Sequence, residues 1–232
     1  MKTIPLNIMT SYPVKWTKQQ VLRDIVQNFY DDMGAQDFYK TFILKYITND
    51  ETISLSIASK GFNYEWLLHM GASTKQDRPG EFAGFYGEGF KMASLCALRD
   101  YNWKITMRSR DWSIEVCTFN TIVDSKLLQQ LAYNVIEGCA HSSETVLTIH
   151  PFSEEDANLL EEVVLGFYFP ENPLFGNRIY EDKYVAIYER SGRQKPASMP
   201  TGLKVHGEGI IYIGFQARGA FNLPLVICNH RF

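Results

Sequence analysis

The 232-residue chain lacks the marks of several protein classes. Its four cysteines, Cys96, Cys117, Cys139 and Cys228, include no C-x-x-C pair. That argues against a disulfide framework or a metal cage, and for buried thiols in a reducing cytoplasm. His69, His141, His150, His206 and His230 show no ligand spacing either. No apolar run approaches the roughly 18 residues of a membrane span, and MKTIPLNIMTSYPVKW has no signal-peptide apolar core. Neither sign of charge dominates: the net charge is -3. No global basic field therefore draws the chain to nucleic acid or anionic lipid, although a local basic patch stays open. Repeats and low-complexity runs are also missing. What is plentiful is apolar side chain, 45% against 21% charged. This is the balance of a globular protein with one large domain, or one domain with an extension.

Along the chain, Lys15 to Gln36 reads as a helix. Thr17 is its N-cap, Val21, Leu22, Ile25, Val26 and Phe29 recur at helical spacing, and Gly34 stops it. FILKYI (42–47) and TISLSIA (52–58) flank T-N-D-E as a hairpin, the second strand with one apolar face. YEWLLHMG (64–71) predicts a short helix, and STKQDRPGEFAG (73–84) a polar loop. After Asp100 come strands in NWKITMRS, DWSIEVCTF and ETVLTIHPF (144–152), with SKLLQQLAYNVI between the last two predicted as a helix. Ser153 and Asp156 open a capping-box helix. A loop over 190–202 then precedes the strand-like EGIIYIGFQARG and LPLVICNHRF. Helices alternating with antiparallel hairpins predict an α+β fold: a two-layer sandwich, mostly antiparallel, with helices on one face.

Two stretches carry chemistry. GEFAGFYGEGFKMAS (80–94) sets four glycines among Phe82, Phe85, Tyr86 and Phe90 and runs into a helix. Such a backbone can approach a ligand closely. It is not a Walker A loop, because no G-K-[ST] closes it, and no clean parallel strand precedes it as a dinucleotide fold requires. In LRDIVQNFYDD, Asp24, Asn28 and Asp31 project from one helix face. The carboxylates alone read as a solvated acidic face. Asn28, at the border of the buried stripe, fits that description less well. A carboxylate and an amide oxygen on one face suit an octahedral magnesium that keeps its waters.

Together these stretches resemble the GHKL (Bergerat-fold) ATPases, in motif style most like their heat-shock-chaperone/MORC-like branch. Asp24-Ile-Val-Gln-Asn28 looks like the family's acidic-x-x-x-Asn motif, with Asp31 as its following Asp. HMGASTK (69–75) is similar to the family's approach to its lid, bringing Ser73, Thr74 and Lys75. GFYGEGFK (84–91) matches the phosphate-cradling G-x-x-G-x-G-F-K, bringing Gly84, Tyr86, Gly87, Glu88, Gly89, Phe90 and Lys91. Thr145 stands where a late-strand threonine helps hold adenine. The resemblance spans roughly residues 15–152 in the family's order. It implies ATP as nucleotide, Mg2+ held by Asn28, and Asp24 as the general base of a slow hydrolysis used as a conformational switch. Lys75 and Lys91 would neutralise phosphate charge, and glycine amides at a helix N-terminus would face the triphosphate. The nucleotide site is expected between helix 20–33 and loop 71–90.

Two positions depart from the family. Its D-x-G-x-G falls on SKGFN, so Ser59 replaces the adenine-binding Asp, Gly61 is kept and Asn63 replaces the second glycine. A neutral acceptor is worth about 1 kcal/mol less than a charged one, which implies weaker or less base-selective binding. Asp24 replaces the usual Glu. The carboxylate is therefore roughly 1.5 Å shorter in reach, a misplacement that can cost about 10²-fold in rate. Two readings compete with the ATPase. One is a degenerate nucleotide-binding or protein-interaction module without turnover. The other is a nucleotide-gated DNA-metabolism or defence factor. The resemblance further implies a homodimer through the N-terminal segment or lid, DNA or a client protein as partner, and no membrane. Residues 1–152 form the expected ATP-binding domain. Residues 153–232 form an extension packing on it or beginning a second domain. The ending ICNHRF, without a terminal helix or polar tail, reads as a fragment of a longer protein or a compact viral or bacterial version. No phosphoacceptor histidine motif is recognisable.

Overall fold

The computed structural model describes residues 1–69, 88–191 and 208–229. The fold is α+β, with helices and largely antiparallel sheets. In chain order its elements are β1 (Lys2–Met9), α1 (Lys18–Met33), α2 (Phe38–Thr41), β2 (Ile43–Ile47), β3 (Thr52–Ala58), α3 (Gly89–Asp100), β4 (Lys104–Val123), β5 (Lys126–His150), α4 (Glu154–Leu165), β6 (Phe175–Glu181), β7 (Val185–Arg190), β8 (Gly209–Ile213), β9 (Gln216–Phe221) and β10 (Leu225–Asn229). Two compact units result. The first holds Met1–Ile25 and the described residues from Thr41 to Ala157; the second holds Val26–Lys40 and the described residues from Asn158 onward.

In the first unit the sheet order is β1-β5-β3-β2, with β4 also paired to β5. β5 is long enough to serve three partners: β1 along its first half, β3 along its second and β4 along both. Period-two alternation gives the sheet two unlike faces. Ile105, Met107, Leu147 and Ile149 are buried, while Lys104, Thr106 and Arg108 are exposed. α3 lies on the buried side, where its Phe90 ring meets Tyr133 of β5 at 6.4 Å between centroids.

The predicted helix over SKLLQQLAYNVI is instead the first half of β5. Leu127, Leu128, Leu131, Ala132 and Val135 satisfy a helical period, so periodicity alone misleads there. Asp124 and Ser125, which would suit a helix start, take left-handed φ of 48° and 64°. They form the tight turn between β4 and β5, a conformation short polar residues tolerate. Pairing with β4 on one side and β1 on the other then overrides local propensity. NWKITMRS and DWSIEVCTF, read as two strands, are one strand whose register shifts between Arg108 and Trp112, with Arg110 at φ 50°.

The other expected devices are present. Thr17 and Gln20 cap α1 reciprocally: Gln20 N donates to Thr17 Oγ1 (3.3 Å) and Thr17 N to Gln20 Oε1 (2.8 Å). Gly34 closes the helix at φ 74°. Asp156 N donates to Ser153 Oγ and Ser153 N to Asp156 Oδ2, the capping box of α4. β2 and β3 pair antiparallel across the T-N-D-E turn. Where a helix is expected over 64–71, the described residues instead form a 3₁₀ turn, Tyr64–Leu67, whose N-cap Asn63 accepts from Glu65 N; 70 and 71 lie outside the described residues. The loop expected over 190–202 lies outside the described residues from 192.

In the second unit the sheet runs β6-β7-β10-β8-β9, with β10 and β8 parallel. Its core gathers Leu174, Ile210, Tyr212, Val226 and Cys228. Tyr30, Phe38 and Phe167 pack as an aromatic cluster, and Tyr30 Oη donates to Tyr168 O at 2.5 Å. Burial pushes the Tyr30 and Tyr212 hydroxyls far above the usual tyrosine range, so both stay protonated donors.

Candidate functional site

Asp24 sits in the second turn of α1, on a side chain 13% exposed. Its Oδ2 lies 3.5 Å from Arg23 Nη2. Its Oδ1 occupies the space that a Cβ on Gly89 would need. Gly89 is the first residue of α3. The carboxylate of the acidic motif is therefore packed against the last glycine of the glycine box. A guanidinium and a helix N-terminus both attract a carboxylate there.

The far end of α3 is anchored as firmly. Arg99 Nη1 donates to Thr10 O (3.1 Å) and Tyr12 O (2.8 Å), and Nη2 to Val14 O (2.6 Å). The same guanidinium pairs with Asp100, which draws the Asp100 carboxyl below its usual range. Tyr101 Oη adds a bond to Trp16 O at 2.6 Å. The arm that leads into α1 is thus tied to the C-terminal end of α3, which fixes the approach of Asp24 to Gly89.

A second cluster forms where β3 leaves the sheet. Ser59 N continues the ladder to Ser143 O at 3.0 Å, and Ser59 Oγ accepts from Gly61 N at 3.0 Å. Gly61 needs its glycine twice over. Its φ is 66°, and a Cβ would run into Ser109 Oγ and the stem of Arg110. Ser109 Oγ is in turn 2.8 Å from Thr145 Oγ1, both buried. Ser59, Gly61, Ser109 and Thr145 therefore converge. Gly61→Ala is expected to destabilise the fold by about 2 kcal/mol, read as a lower urea midpoint. An unchanged midpoint would mean the loop has room that the contacts deny.

The remaining expected residues are placed variously. Asn28 and Asp31 follow Asp24 on the same helix, Asn28 exposed and Asp31 buried. Glu88 is the N-cap residue of α3 without a side-chain cap bond, and its carbonyl accepts from Lys91 N and Met92 N. Phe90 is core. Lys91 is 1% exposed and its Nζ donates to His69 O at 2.7 Å. Burial lowers its pKa, with Glu88 acting against that shift. Ser73, Thr74, Lys75, Gly84, Tyr86 and Gly87 lie outside the described residues. Sequence reasoning missed Ser109. Its signal was parity: it shares a face with Ile105 and Met107, where a serine is out of place unless bonded.

No family model matches the sequence, and neither does any curated protein. Solved structures do. The ATPase region of Saccharomyces cerevisiae topoisomerase II bound to ICRF-187 (dexrazoxane) superposes with a TM-score of 0.51 at 9% identity, over 91% of this chain and 72% of that one. A second structure of the yeast region gives 0.48 at 9% identity, over 86% of this chain. The ATPase and transducer domains of topoisomerase II from Balamuthia mandrillaris give 0.47 at 12% identity, also over 86%. This chain spans 62% and 59% of those two chains. The likeness at 0.51 is one of fold: the chain shares the α+β architecture of that topoisomerase II ATPase region.

Proposed function

We propose that the chain is an ATP-binding GHKL-type ATPase whose slow, magnesium-dependent hydrolysis serves as a conformational switch. One observation carries this reading: Asp24 of the acidic motif lies against Gly89 of the glycine box, at the N-terminus of α3. The resemblance implies a site shared by the two motifs, and this contact supports it. The residues fit the ligand. A carboxylate and an exposed amide oxygen one turn apart on α1 suit Mg2+, which takes few protein ligands. The hydroxyls of Ser59, Ser109 and Thr145 suit the edge of a base.

When bound, Mg-ATP would supply the γ-phosphorus as electrophile. Asp24 would serve as the base toward water, and Asn28 would hold the metal. The amides at the start of α3 would be donors for the phosphates, and Lys75 would neutralise their charge. Lys91 joins it only by exchanging His69 O for phosphate. The placement of Lys91 favours a second reading, a nucleotide-binding or interaction module without turnover. The GFYGEGFK box supports the chaperone/MORC-like branch. Likeness in fold to a topoisomerase ATPase region leaves a nucleotide-gated, DNA-acting chain as a third reading. Nucleotide, a second copy, and DNA or a client protein are the proposed partners, in the cytoplasm. Among the described residues no helix is long and apolar enough to cross a membrane. Residues 1–152 are proposed as the ATP-binding domain, with 153–232 as its extension or the start of a second domain.

Calorimetric titration with ATP and ADP, with and without magnesium, tests the reading. ATP is expected to bind more tightly with the metal. Asn28→Ala should abolish that gain, a loss of about tenfold or 1.4 kcal/mol, with an unchanged melting temperature. If Asn28→Ala keeps the metal dependence, Asn28 is not the ligand.

A further inference from the structure

We propose that the C-terminal half of β4 is a self-association edge, to which a second copy of this chain adds antiparallel across a two-fold axis at Phe119. Among the described residues β4 pairs with β5 alone, so its other edge presents a row of backbone N–H and C=O groups without a ladder partner. The two halves of that edge differ in chemistry. The first half carries Lys104, Arg108, Arg110, Asp111 and Glu115, and its register shifts between Arg108 and Trp112. Charges and bulges are the devices that keep an edge strand from accepting another. From Val116 to Val123 the sequence is VCTFNTIV, with no charge, no proline, no glycine and mostly β-branched or aromatic side chains. Such a stretch favours pairing with another strand.

The same stretch has the least support within the chain. β1 follows β5 toward the turn only as far as Gln130, with one further bond from Thr10 N to Gln129 O. Beyond that point β4 and β5 continue as two strands, closed by Asp124 and Ser125. Ile122 and Leu127 stand opposite each other there, 72% and 68% exposed. A two-stranded ribbon is marginal in water, and further strands stabilise it. The pattern of side chains selects a second copy as the added strand. Residues opposite each other in an antiparallel pair share a face, so a two-fold axis through the sheet must relate one residue to its own copy. With Phe119 at the axis, Ile122 faces Val116, Cys117 faces Thr121 and Thr118 faces Asn120. No charge opposes a like charge, because Glu115 meets Val123, and an aromatic pair closes the centre. This edge is separate from the N-terminal segment and from the lid.

Sedimentation equilibrium of the intact chain without nucleotide tests the proposal independently of the ATP-binding reading. The mass is expected to rise from one chain toward two with a dissociation constant of about 10 μM, the weak end of specific interfaces. Phe119→Lys and Phe119→Glu each set like charges at the axis, and each alone should weaken association about tenfold or more. An equimolar mixture of the two sets opposite charges there and should regain association to within about threefold of the parent. Misfolded variants could not give that recovery. Ile122→Lys, at a position 72% exposed, should weaken association while keeping the parent's melting temperature. A parent that stays monomeric up to about 300 μM, thirty times the expected constant, overturns the proposal. So does a dimer that survives Phe119→Lys unchanged, or a mixture that stays as weak as its two components.

Discussion

Asp24→Ala is expected to lower ATP turnover by about 10²- to 10³-fold, the usual worth of a positioned general base. ATP affinity should stay within about threefold of the parent. The split follows from the geometry. The carboxylate lies against the first residue of α3 and beside Arg23, and the proposed metal ligand stands a turn further on. Removing it deletes a proton acceptor and leaves the glycine backbone intact. Asp24→Asn provides the control of equal size, because it keeps the packing against Gly89 and loses the base. Single-turnover hydrolysis alongside equilibrium binding reads the two effects separately. Turnover unchanged in both variants would leave Asp24 a packing partner of Gly89 and Arg23 and not the base. Loss of binding without any change in the chemical step would move it from base to phosphate-site architecture.

Some of this was legible in the residues. α1 was, because three independent signals agree: the Thr17 cap, the apolar period and the Gly34 stop. The β2–β3 hairpin and the α4 capping box were legible for the same reason. β5 was not. Its leucines satisfy both a helical and a strand period, and what decides between them is pairing with β1 and β4, which no local window contains. Of the site, the acidic motif and the glycine box could be read as types in a pattern, and the order of the motifs implied one shared site. The approach of Asp24 to Gly89 could not, because it depends on the arm between β1 and α1 being held by Arg99 at the opposite end of α3. Ser109 carries no motif of its own. It becomes visible only when strand parity puts a hydroxyl on an apolar face and the pairing of β4 with β5 brings Thr145 Oγ1 within 2.8 Å.

Gly89→Ala tests that approach without touching any polar group. Gly89 has no left-handed φ, so an alanine is excluded by space alone: its Cβ would overlap Asp24 Oδ1. With Asp24 present, the added methyl must push the carboxylate aside. That should cost about 1–3 kcal/mol of stability and shift the base by about 1 Å, enough to slow turnover by about 10²-fold. With Asp24→Ala present, the space is free. Gly89→Ala should then be neutral, or stabilising by up to about 1 kcal/mol, since alanine favours a helix over glycine. The two substitutions should therefore couple by about 1–3 kcal/mol in a double-mutant cycle read by urea unfolding, as residues in contact do. The sign matters as much as the size, because the second substitution rescues the first in stability while turnover stays lost. Additive costs within about 0.5 kcal/mol, the ordinary behaviour of separated sites, would mean that the carboxylate does not rest on Gly89, and the acidic motif and the glycine box would lose the contact that joins them.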